Sequence, residues 1–301
     1  MEVSLLVVSC PLPVKFPRMN SLDETTLTLI RMALAEDIGT GDVTAQYFTP
    51  KHAVCRGRIV AKETGVLAGM DVAATVFQLV DPEIEITRIL NDGAHLQKGV
   101  VVMELRGPAR SVLTAERTAL NFLQRLSGVA SQTRRYVDAI GDTSCQLLDT
   151  RKTTPGWRKL EKAAVKAGGG TNHRIGLYDM VMVKDNHLLA EARLPELQAA
   201  IDHVHHDHPG MKIELEADRI SQVEAFLTLR GVSVILLDNM TNEEMQRCVE
   251  LVGGQVKLEA SGNVTIERLP SIAATGVDYV SCGALTHSAK ALDLSLDLVA
   301  E

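Results

Sequence analysis

The chain has 301 residues, of which 46% are hydrophobic and 3% aromatic, and its formal net charge is −7. This composition favours a globular α/β protein with a sizeable core, and no apolar run approaches the roughly 18 residues that span a bilayer. The acidic balance and the scarcity of aromatic residues argue against a nucleic-acid partner. No metal-ligand spacing links the cysteines, so we expect reduced thiols and a cytoplasmic location.

The first residues predict an extension followed by a helix. Residues 1–20 contain a short apolar segment but lack the positive region of an export signal, so we expect a loose N-terminal extension. Ser21 and Glu24 fit a capping box that opens a helix from Leu22 to Ala35. A glycine-punctuated turn is predicted at residues 36–44.

A sheet is predicted next. Apolar runs between Ala53 and Leu105, separated by glycine turns, are typical of short strands, and one helix, Asp71–Leu79, crosses them. We therefore expect an N-terminal α+β domain, an open-sheet sandwich, over residues 21–127. The C-terminal segment 288–301 is expected to join it.

A helix from Leu113 to Leu126 follows, with leucines at helical spacing. Arg117 and Arg125 lie off this leucine stripe. The ordinary expectation for such arginines is a solvated side chain.

The remaining chain alternates strands and amphipathic helices. The predicted strands are 145–148, 180–183, 212–215, 233–237, 256–258 and 278–281. This βα rhythm with short connections indicates a parallel sheet. Because six strands are fewer than the eight of a regular barrel, we predict an incomplete TIM-like α/β barrel over residues 128–287.

Positive charge is concentrated in Leu147–Leu189, where eight Lys/Arg residues face four Asp/Glu residues in an acidic protein. Such local focusing favours an anionic ligand. A helix is predicted here, with Thr154 as its N-cap and Pro155 in its first turn. Gly168, Gly169 and Gly170 end that helix, and we expect their N–H groups to face an anion.

Polar residues follow each predicted strand. In a parallel barrel these residues meet at the carboxyl face. They are Arg151 with Lys152, Lys184, Glu216, Asp238 with Asn239, Ser261 with Gly262, and Gly283 with His287. Cations and carboxylates together suit a magnesium-bound polyphosphate, and Ser261, Gly262 or Gly283 suits a 5′-phosphate.

The segment TRKTTPGWRKLEKAAVKAGGGTNHRIGLYDMVMVKDNH resembles the signature of quinolinate phosphoribosyltransferases, and the likeness runs from about Leu22 to His287. It implies transfer of phosphoribose from phosphoribosyl pyrophosphate (PRPP) to quinolinate, with decarboxylation to nicotinate mononucleotide in NAD biosynthesis. It also implies Mg²⁺ with PRPP, no organic cofactor, and a homodimer, or a higher assembly of dimers, in which AERTALN supplies Arg117 to the neighbouring active site.

The resemblance also assigns residues. Those implied for quinolinate are Arg117, Arg151, His173, Arg174 and Lys184. Those implied for PRPP are Lys152, Lys184, Glu216, Asp238, Ser261, Gly262, Gly283 and His287. Glu216, Asp238 and Lys152 are the implied catalytic residues, and Glu216 and Asp238 are expected to hold Mg²⁺ directly or through water.

Other interpretations remain open. Lys184 at a strand end also suits a Schiff-base lyase, and a related fold with another acceptor, such as nicotinate or a molybdenum-transport-associated function, would keep the phosphoribosyl site. A non-catalytic anion-binding dimer is the alternative from another class. The histidines between His203 and His208 invite a metal interpretation, but a helix end before Pro209 explains them better. Cys282 has no activating partner in the sequence, so we expect it to be structural.

Overall fold

The computed structural model describes residues 22–184 and 194–300. The predicted extension, Ser21 and the sequence Asp185–His187 lie outside the described residues. The first helix, α1, is Glu24–Ile38, and Asp23 caps it by accepting a hydrogen bond from Thr26 N at 3.0 Å. The helix therefore begins two residues later than predicted, because Asp23 supplies the cap.

An antiparallel sheet follows the short helix α2, Val43–Phe48. Its strands, in spatial order, are β12 (Leu294–Ala300), β1 (Val54–Ala61), β5 (Val101–Pro108) and β3 (Glu85–Arg88). From Val54 to Ile59 exposed and buried residues of β1 alternate, so one face meets the core and the other meets water, and the end of the strand is buried on both faces. The C-terminal strand pairs directly with β1, with Ile59 opposite Leu296.

Three shorter elements complete this part of the molecule. Helix α3 is Met70–Val80, and the small strands β2 (Gly65–Val66) and β4 (His95–Leu96) pair with each other. Asp92 accepts hydrogen bonds from Gly69 N and Met70 N, both at 3.0 Å, and so caps α3 from a distant turn.

One long helix, α4 (Ala109–Ile140), links the two sheets. It extends well beyond the predicted Leu113–Leu126, and the predicted domain boundary at residue 127 falls inside it. The sequence did not predict the C-terminal part of α4, because small residues interrupt the leucine pattern there. These residues allow another segment of backbone to approach the helix. Ser127 Oγ accepts a hydrogen bond from Ala68 N at 3.0 Å, and a Cβ on Gly128 would lie 1.9 Å from the Lys290 carbonyl oxygen.

The second sheet is parallel and has six strands. In spatial order they are β6 (Gln146–Leu148), β11 (Tyr279–Ser281), β10 (Lys257–Ser261), β9 (Val234–Asp238), β8 (Ile213–Ala217) and β7 (Val181–Val183). Within the described chain, β6 and β7 form the two edges and do not pair. The prediction of an incomplete, open TIM-like barrel beside an N-terminal α+β unit is thus confirmed.

Each strand of this sheet is followed along the chain by a helix. These helices are α5 (Arg158–Ala167), α6 (Leu194–Asp207), α7 (Ile220–Phe226), α8 (Asn242–Val252), α9 (Leu269–Ala273) and α10 (Ala284–His287). In residues 22–184 and 194–300 no helix combines the length and apolarity that crossing a membrane requires. Cys55, Cys145, Cys248 and Cys282 are buried free thiols.

The glycines after α5 serve packing rather than anion binding. Their N–H groups donate to carbonyls of α5 itself: Gly168 to Ala164, Gly169 to Lys166 and Gly170 to Val165, each at 3.0 Å. A Cβ on Gly168 would lie 2.3 Å from the Ala130 carbonyl oxygen. The predicted anion cradle is therefore wrong, because the close approach of α5 to α4 requires these glycines.

Candidate active site

A pocket of about 160 Å³ opens at the carboxyl edge of the parallel sheet. Six predicted site residues line it: Arg151, Lys152, His173, Arg174, Lys184 and Ser261. Its other lining residues are Thr150, Met182, Leu236, Glu259 and Ser281. Four of the eleven side chains are Arg or Lys, so the pocket suits an anion.

Two arginines line this pocket, and neither forms a salt bridge with a described residue. Arg151 Nε is buried and donates no hydrogen bond to a described residue. Arg174 donates only to the Met180 carbonyl, at 3.1 Å, and to the Met182 sulfur, at 3.6 Å. Burial and the charge of Arg151 lower the pKa of Arg174. Concentrated positive charge of this kind is relieved by a bound anion.

Lys152 also lines the pocket, in the loop after β6. Its carbonyl accepts a hydrogen bond from Thr286 Oγ1 at 2.7 Å, and its amide donates to Thr150 Oγ1 at 3.0 Å. An ideal Cβ on Gly283 would lie 2.9 Å from Lys152 Cδ and 3.2 Å from His287 Nε2. The bare glycine therefore lets Lys152 and His287 approach the end of β11.

Carboxylates end the neighbouring strands. Glu216, in β8, forms an ion pair with Lys184, and Asp238, at the end of β9, accepts a hydrogen bond from Asn239 Nδ2 at 2.7 Å. Each carboxylate keeps oxygen sites that a hard cation prefers. The donor set therefore fits Mg²⁺.

The turn after β10 is tightly constrained. Gly262 has a φ of +90°, and an added Cβ would lie 2.1 Å from Asn239 Oδ1. Asn239 and Asn263 also have positive φ values, and they are hydrogen-bonded to each other at 3.1 Å. This conformation leaves no room for a side chain at position 262.

The remaining predicted residues lie outside the lining of this pocket. Glu216 forms an ion pair with the pocket-lining residue Lys184. Gly283 and His287 lie beside the pocket-lining residue Lys152. Asp238 and Gly262 lie at the adjoining strand ends. Arg117 is exposed on α4, away from the pocket lining of its own chain.

A buried cluster that the sequence did not suggest lies behind the pocket. His173 Nε2 is 3.1 Å from Glu214 Oε2 and 3.3 Å from Glu259 Oε2. Both Glu214 oxygens and one Glu259 oxygen are buried without a well-aligned hydrogen bond. Among the residues described, this is the one group of three His, Cys, Asp or Glu side chains close enough to share an ion. The histidines from His203 to His208, for which the sequence favoured a helix end over a metal site, do not form such a group, and His205 contacts the Gly231 carbonyl at 3.0 Å.

The tautomer of His173 decides how this cluster is charged. Arg174 N donates a hydrogen bond to His173 Nδ1 at 2.8 Å, so Nδ1 needs its lone pair and Nε2 carries the ring proton. Nε2 therefore points an N–H at the carboxylates, which disfavours a metal at this position. Burial lowers the pKa of His173, but the hydrogen bonds and charges of Glu214 and Glu259 raise it to about 9.

Full protonation of His173 would require the loss of the Arg174 hydrogen bond. The geometry thus favours a neutral ring and places the second proton on the carboxylates. Burial raises the pKa of Glu214 to about 7, in agreement with this arrangement, although the hydrogen bond from His173 opposes the shift. Because both ring nitrogens of His173 are engaged inside the protein, the ring supports the pocket wall rather than offering a free N–H to a ligand.

Sequence reasoning missed Glu214 and Glu259 even though a signal was present. Each lies two residues before a predicted site residue on the same strand: Glu214 before Glu216, and Glu259 before Ser261. Side chains two apart on a strand share a face, and a charged residue inside a buried parallel strand is unusual. Cys282 is buried as predicted, and burial raises the pKa of its thiol.

The fold is an incomplete α/β barrel, and a cationic pocket lies at the carboxyl ends of its strands, close to carboxylates. This combination is typical of barrel enzymes that bind anionic substrates. Residues 42–127 match the model for the N-terminal domain of quinolinate phosphoribosyl transferase, and residues 129–297 match that for its C-terminal domain. The chain belongs to this family, as the resemblance predicted.

Individual relatives support this assignment to the family. A probable nicotinate-nucleotide pyrophosphorylase [carboxylating] from Bacillus subtilis is 42% identical over 274 residues, 90% of this chain and 92% of its own. A quinolinate phosphoribosyltransferase [decarboxylating] from Nicotiana tabacum is 40% identical, covering 91% of this chain and 82% of its own. The solved nicotinate-nucleotide pyrophosphorylase from Francisella tularensis superposes with a TM-score of 0.86 at 36% identity, over 95% of this chain and all of that one.

Proposed function

We propose that this chain transfers phosphoribose from PRPP to quinolinate and decarboxylates the product to nicotinate mononucleotide, within NAD biosynthesis. The observation that carries the proposal is the convergence of Arg151, Lys152, Arg174 and Lys184 on one pocket beside the carboxylates of Glu216 and Asp238. A pyridine with two carboxylates matches the arginine side of the pocket. A magnesium-bound pyrophosphate matches the lysine and carboxylate side.

The first step breaks the bond between C1 of the ribose and pyrophosphate. Positive charge develops on the sugar, and Glu216 or Asp238 stabilises it from the strand ends. These two carboxylates also fit Mg²⁺, which neutralises part of the pyrophosphate charge when it is bound. The phosphates are bound by Lys152 and His287, which lie beside Gly283, and by the turn at Ser261 and Gly262.

The pyridine nitrogen then forms a bond to C1 of the ribose. The C2 carboxylate leaves as CO₂, its bonding electrons remain on C2 beside the positively charged nitrogen, and C2 takes up one proton. Arg151, Arg174 and Lys184 hold the two carboxylates of quinolinate, with His173 supporting Arg174 through its backbone. Positioning and electrostatics supply the catalysis.

The decisive assay measures CO₂ and nicotinate mononucleotide from quinolinate, PRPP and Mg²⁺, with nicotinate as the control acceptor. We expect turnover with quinolinate alone. Turnover with nicotinate alone would assign the site to a related transferase with another acceptor.

The Schiff-base lyase is disfavoured by one contact. Lys184 is ion-paired with Glu216, whereas a Schiff-base lysine must react as a free amine. Borohydride trapping with a carbonyl substrate tests this alternative, and we expect no covalent adduct at Lys184.

We further propose a homodimer in which Arg117 completes the partner's pocket. The exposure of Arg117 on α4, outside the lining of its own pocket, supports this arrangement. Arg117→Ala and Arg151→Ala should each be inactive, and mixing the two after subunit exchange should restore part of the activity. Absence of recovery after verified exchange would exclude a shared site.

The pairing of β12 with β1 supports assigning residues 288–301 to the N-terminal domain, 21–127, and residues 128–287 to the catalytic one. Buried free cysteines support a cytoplasmic location.

A further inference from the structure

Two consecutive charged residues of α5, Glu161 and Lys162, are almost completely buried, at 0% and 1% exposure. Helix Glu and Lys residues are rarely buried unless they are paired. The two side chains point in different directions, because consecutive helix positions are about 100° apart. Each enters a separate hydrogen-bond network.

Lys162 holds one wall of the pocket. It forms a buried ion pair with Asp149, and its ammonium donates to the His173 carbonyl at 3.0 Å. Asp149 in turn accepts from His173 N at 2.8 Å and from Asn172 Nδ2 at 2.6 Å. Both backbone polar groups of His173 are therefore fixed by one ion pair, and His173 Nδ1 fixes the next backbone amide, that of Arg174.

Glu161 holds the loop that contains Lys152. It accepts hydrogen bonds from Thr154 N at 2.9 Å, from Thr154 Oγ1 at 2.8 Å and from Arg125 at 2.8 Å. Arg125 also donates to the carbonyls of Thr286 and Ala289. The predictions of Thr154 as a helix cap and of Arg125 as a solvated arginine are therefore both wrong. The Arg125–Glu161 pair joins the loop that contains Lys152 to the end of α10, where His287 lies.

We propose that Glu161 and Lys162 are positioning residues that set the two halves of the pocket independently. Lys162, through Asp149, sets the His173–Arg174 half for the pyridine dicarboxylate. Glu161, through Arg125 and Thr154, sets the Lys152–His287 half for the phosphoribosyl group. This inference rests on the proposed function, which assigns the two substrates to those halves.

The physical basis is that buried ion pairs fix geometry more than they add stability. Desolvation offsets most of their attraction, but a displaced partner leaves a buried charge unpaired, so alternative arrangements are disfavoured. Burial raises the pKa of Asp149 and lowers that of Lys162, while the pairing between them opposes both shifts. A displacement of about 1 Å in a bound substrate costs about 100-fold in rate, so such fixed walls matter for catalysis.

The test compares two charge-free double variants. Asp149→Asn with Lys162→Met removes the first pair at similar volume, and Glu161→Gln with Arg125→Met removes the second. We expect the first variant to raise KM for quinolinate about 10- to 100-fold and to change KM for PRPP less than about threefold. The second variant should do the reverse. Calorimetric titration of each substrate separates binding from turnover.

Matched controls keep the result interpretable. Arg134→Met with Asp138→Asn removes an ion pair on the exposed side of α4 and should change neither KM. Circular dichroism verifies folding. If a double variant does not fold, Lys162→Arg and Glu161→Asp replace it, because they retain the charge but move the contact. We expect the same division between the two substrates, with smaller changes in KM.

Equal changes in both KM values, or no change in either, would overturn the inference. The unsubstituted chain is assayed first. If it shows no turnover of quinolinate, the proposed function fails instead.

Discussion

The antiparallel sheet has ion pairs that water reaches, whereas one ion pair beside the parallel sheet, Asp149–Lys162, is buried behind the pocket. In the first, Arg58–Glu104 has side chains 63% and 42% exposed. In the second, Asp149–Lys162 has side chains 0% and 2% exposed. Charges on the antiparallel sheet therefore add solubility and little else. The buried charges behind the pocket fix the positions of residues that line it.

The largest expected effect comes from breaking a buried pair. Lys162→Met leaves the Asp149 carboxylate buried with only Asn172 and His173 as donors, and we expect about 3–5 kcal/mol of lost stability. Urea unfolding followed by circular dichroism measures it. A loss below about 1 kcal/mol would mean that water or a shifted donor replaces the lysine, and that the buried pair is no different from a surface one.

The next effect tests the helix that connects the two sheets. Gly128→Ala places a methyl group 1.9 Å from the Lys290 carbonyl oxygen, a backbone atom that cannot rotate away. Overpacking of this kind costs about 1–3 kcal/mol, more than alanine gains in helix propensity. Thermal unfolding is the measurement, and Arg135→Ala, on an exposed position of the same helix, is the control that should remain near wild type.

A smaller effect depends on pH. The pKa of folded Glu214 is raised to about 7 from an ordinary value of 4.5. Folding therefore takes up a proton between these values, and the free energy of unfolding falls as the pH rises through this window. From about pH 5 to pH 8 we expect the wild type to lose about 1–3 kcal/mol more than Glu214→Gln.

Glu104→Gln, on the exposed sheet, should keep the wild-type slope. If the free energy of unfolding has the same pH dependence in the wild type and in Glu214→Gln, the second proton of the cluster is not held near Glu214.

The smallest effect is on the antiparallel sheet. Arg58→Met removes the exposed partner of Glu104, and we expect a change below about 1 kcal/mol. The same unfolding assay applies, and addition of salt should reduce the difference further. A loss as large as that of Lys162→Met would remove the distinction between the two sheets.

The pattern of strands was predictable because hydrophobic runs bounded by polar residues mark parallel strands. Every predicted strand from 145–148 to 278–281 lies within two or three residues of an observed one. The extent of α4 was not predictable, because Ser127 and Gly128 interrupt the leucine stripe exactly where other backbone approaches the helix. Sequence periodicity reports what a helix buries, but not what approaches it.

Arg151, Lys152 and Lys184 were also predictable from the pattern, because they follow strands, whereas Arg174 was named through the family resemblance. Their supports were not. Glu161 and Lys162 look like ordinary solvated helix residues, and only tertiary packing places Asp149, Arg125 and Thr154 within reach. The glycines after α5 show the opposite case, since a run typical of anion binding is explained by helix packing.

The pairing of β12 with β1 has a consequence for biosynthesis. β1 is made long before its neighbour β12, so the antiparallel sheet stays incomplete until residues 294–300 have been synthesised. During that time β1 has an unpaired edge, which is a site for association with other chains. Contacts so distant in sequence also form slowly. A chain that is released before residue 294 has been synthesised therefore keeps this edge of β1 exposed. Such a chain is the form most in need of a chaperone.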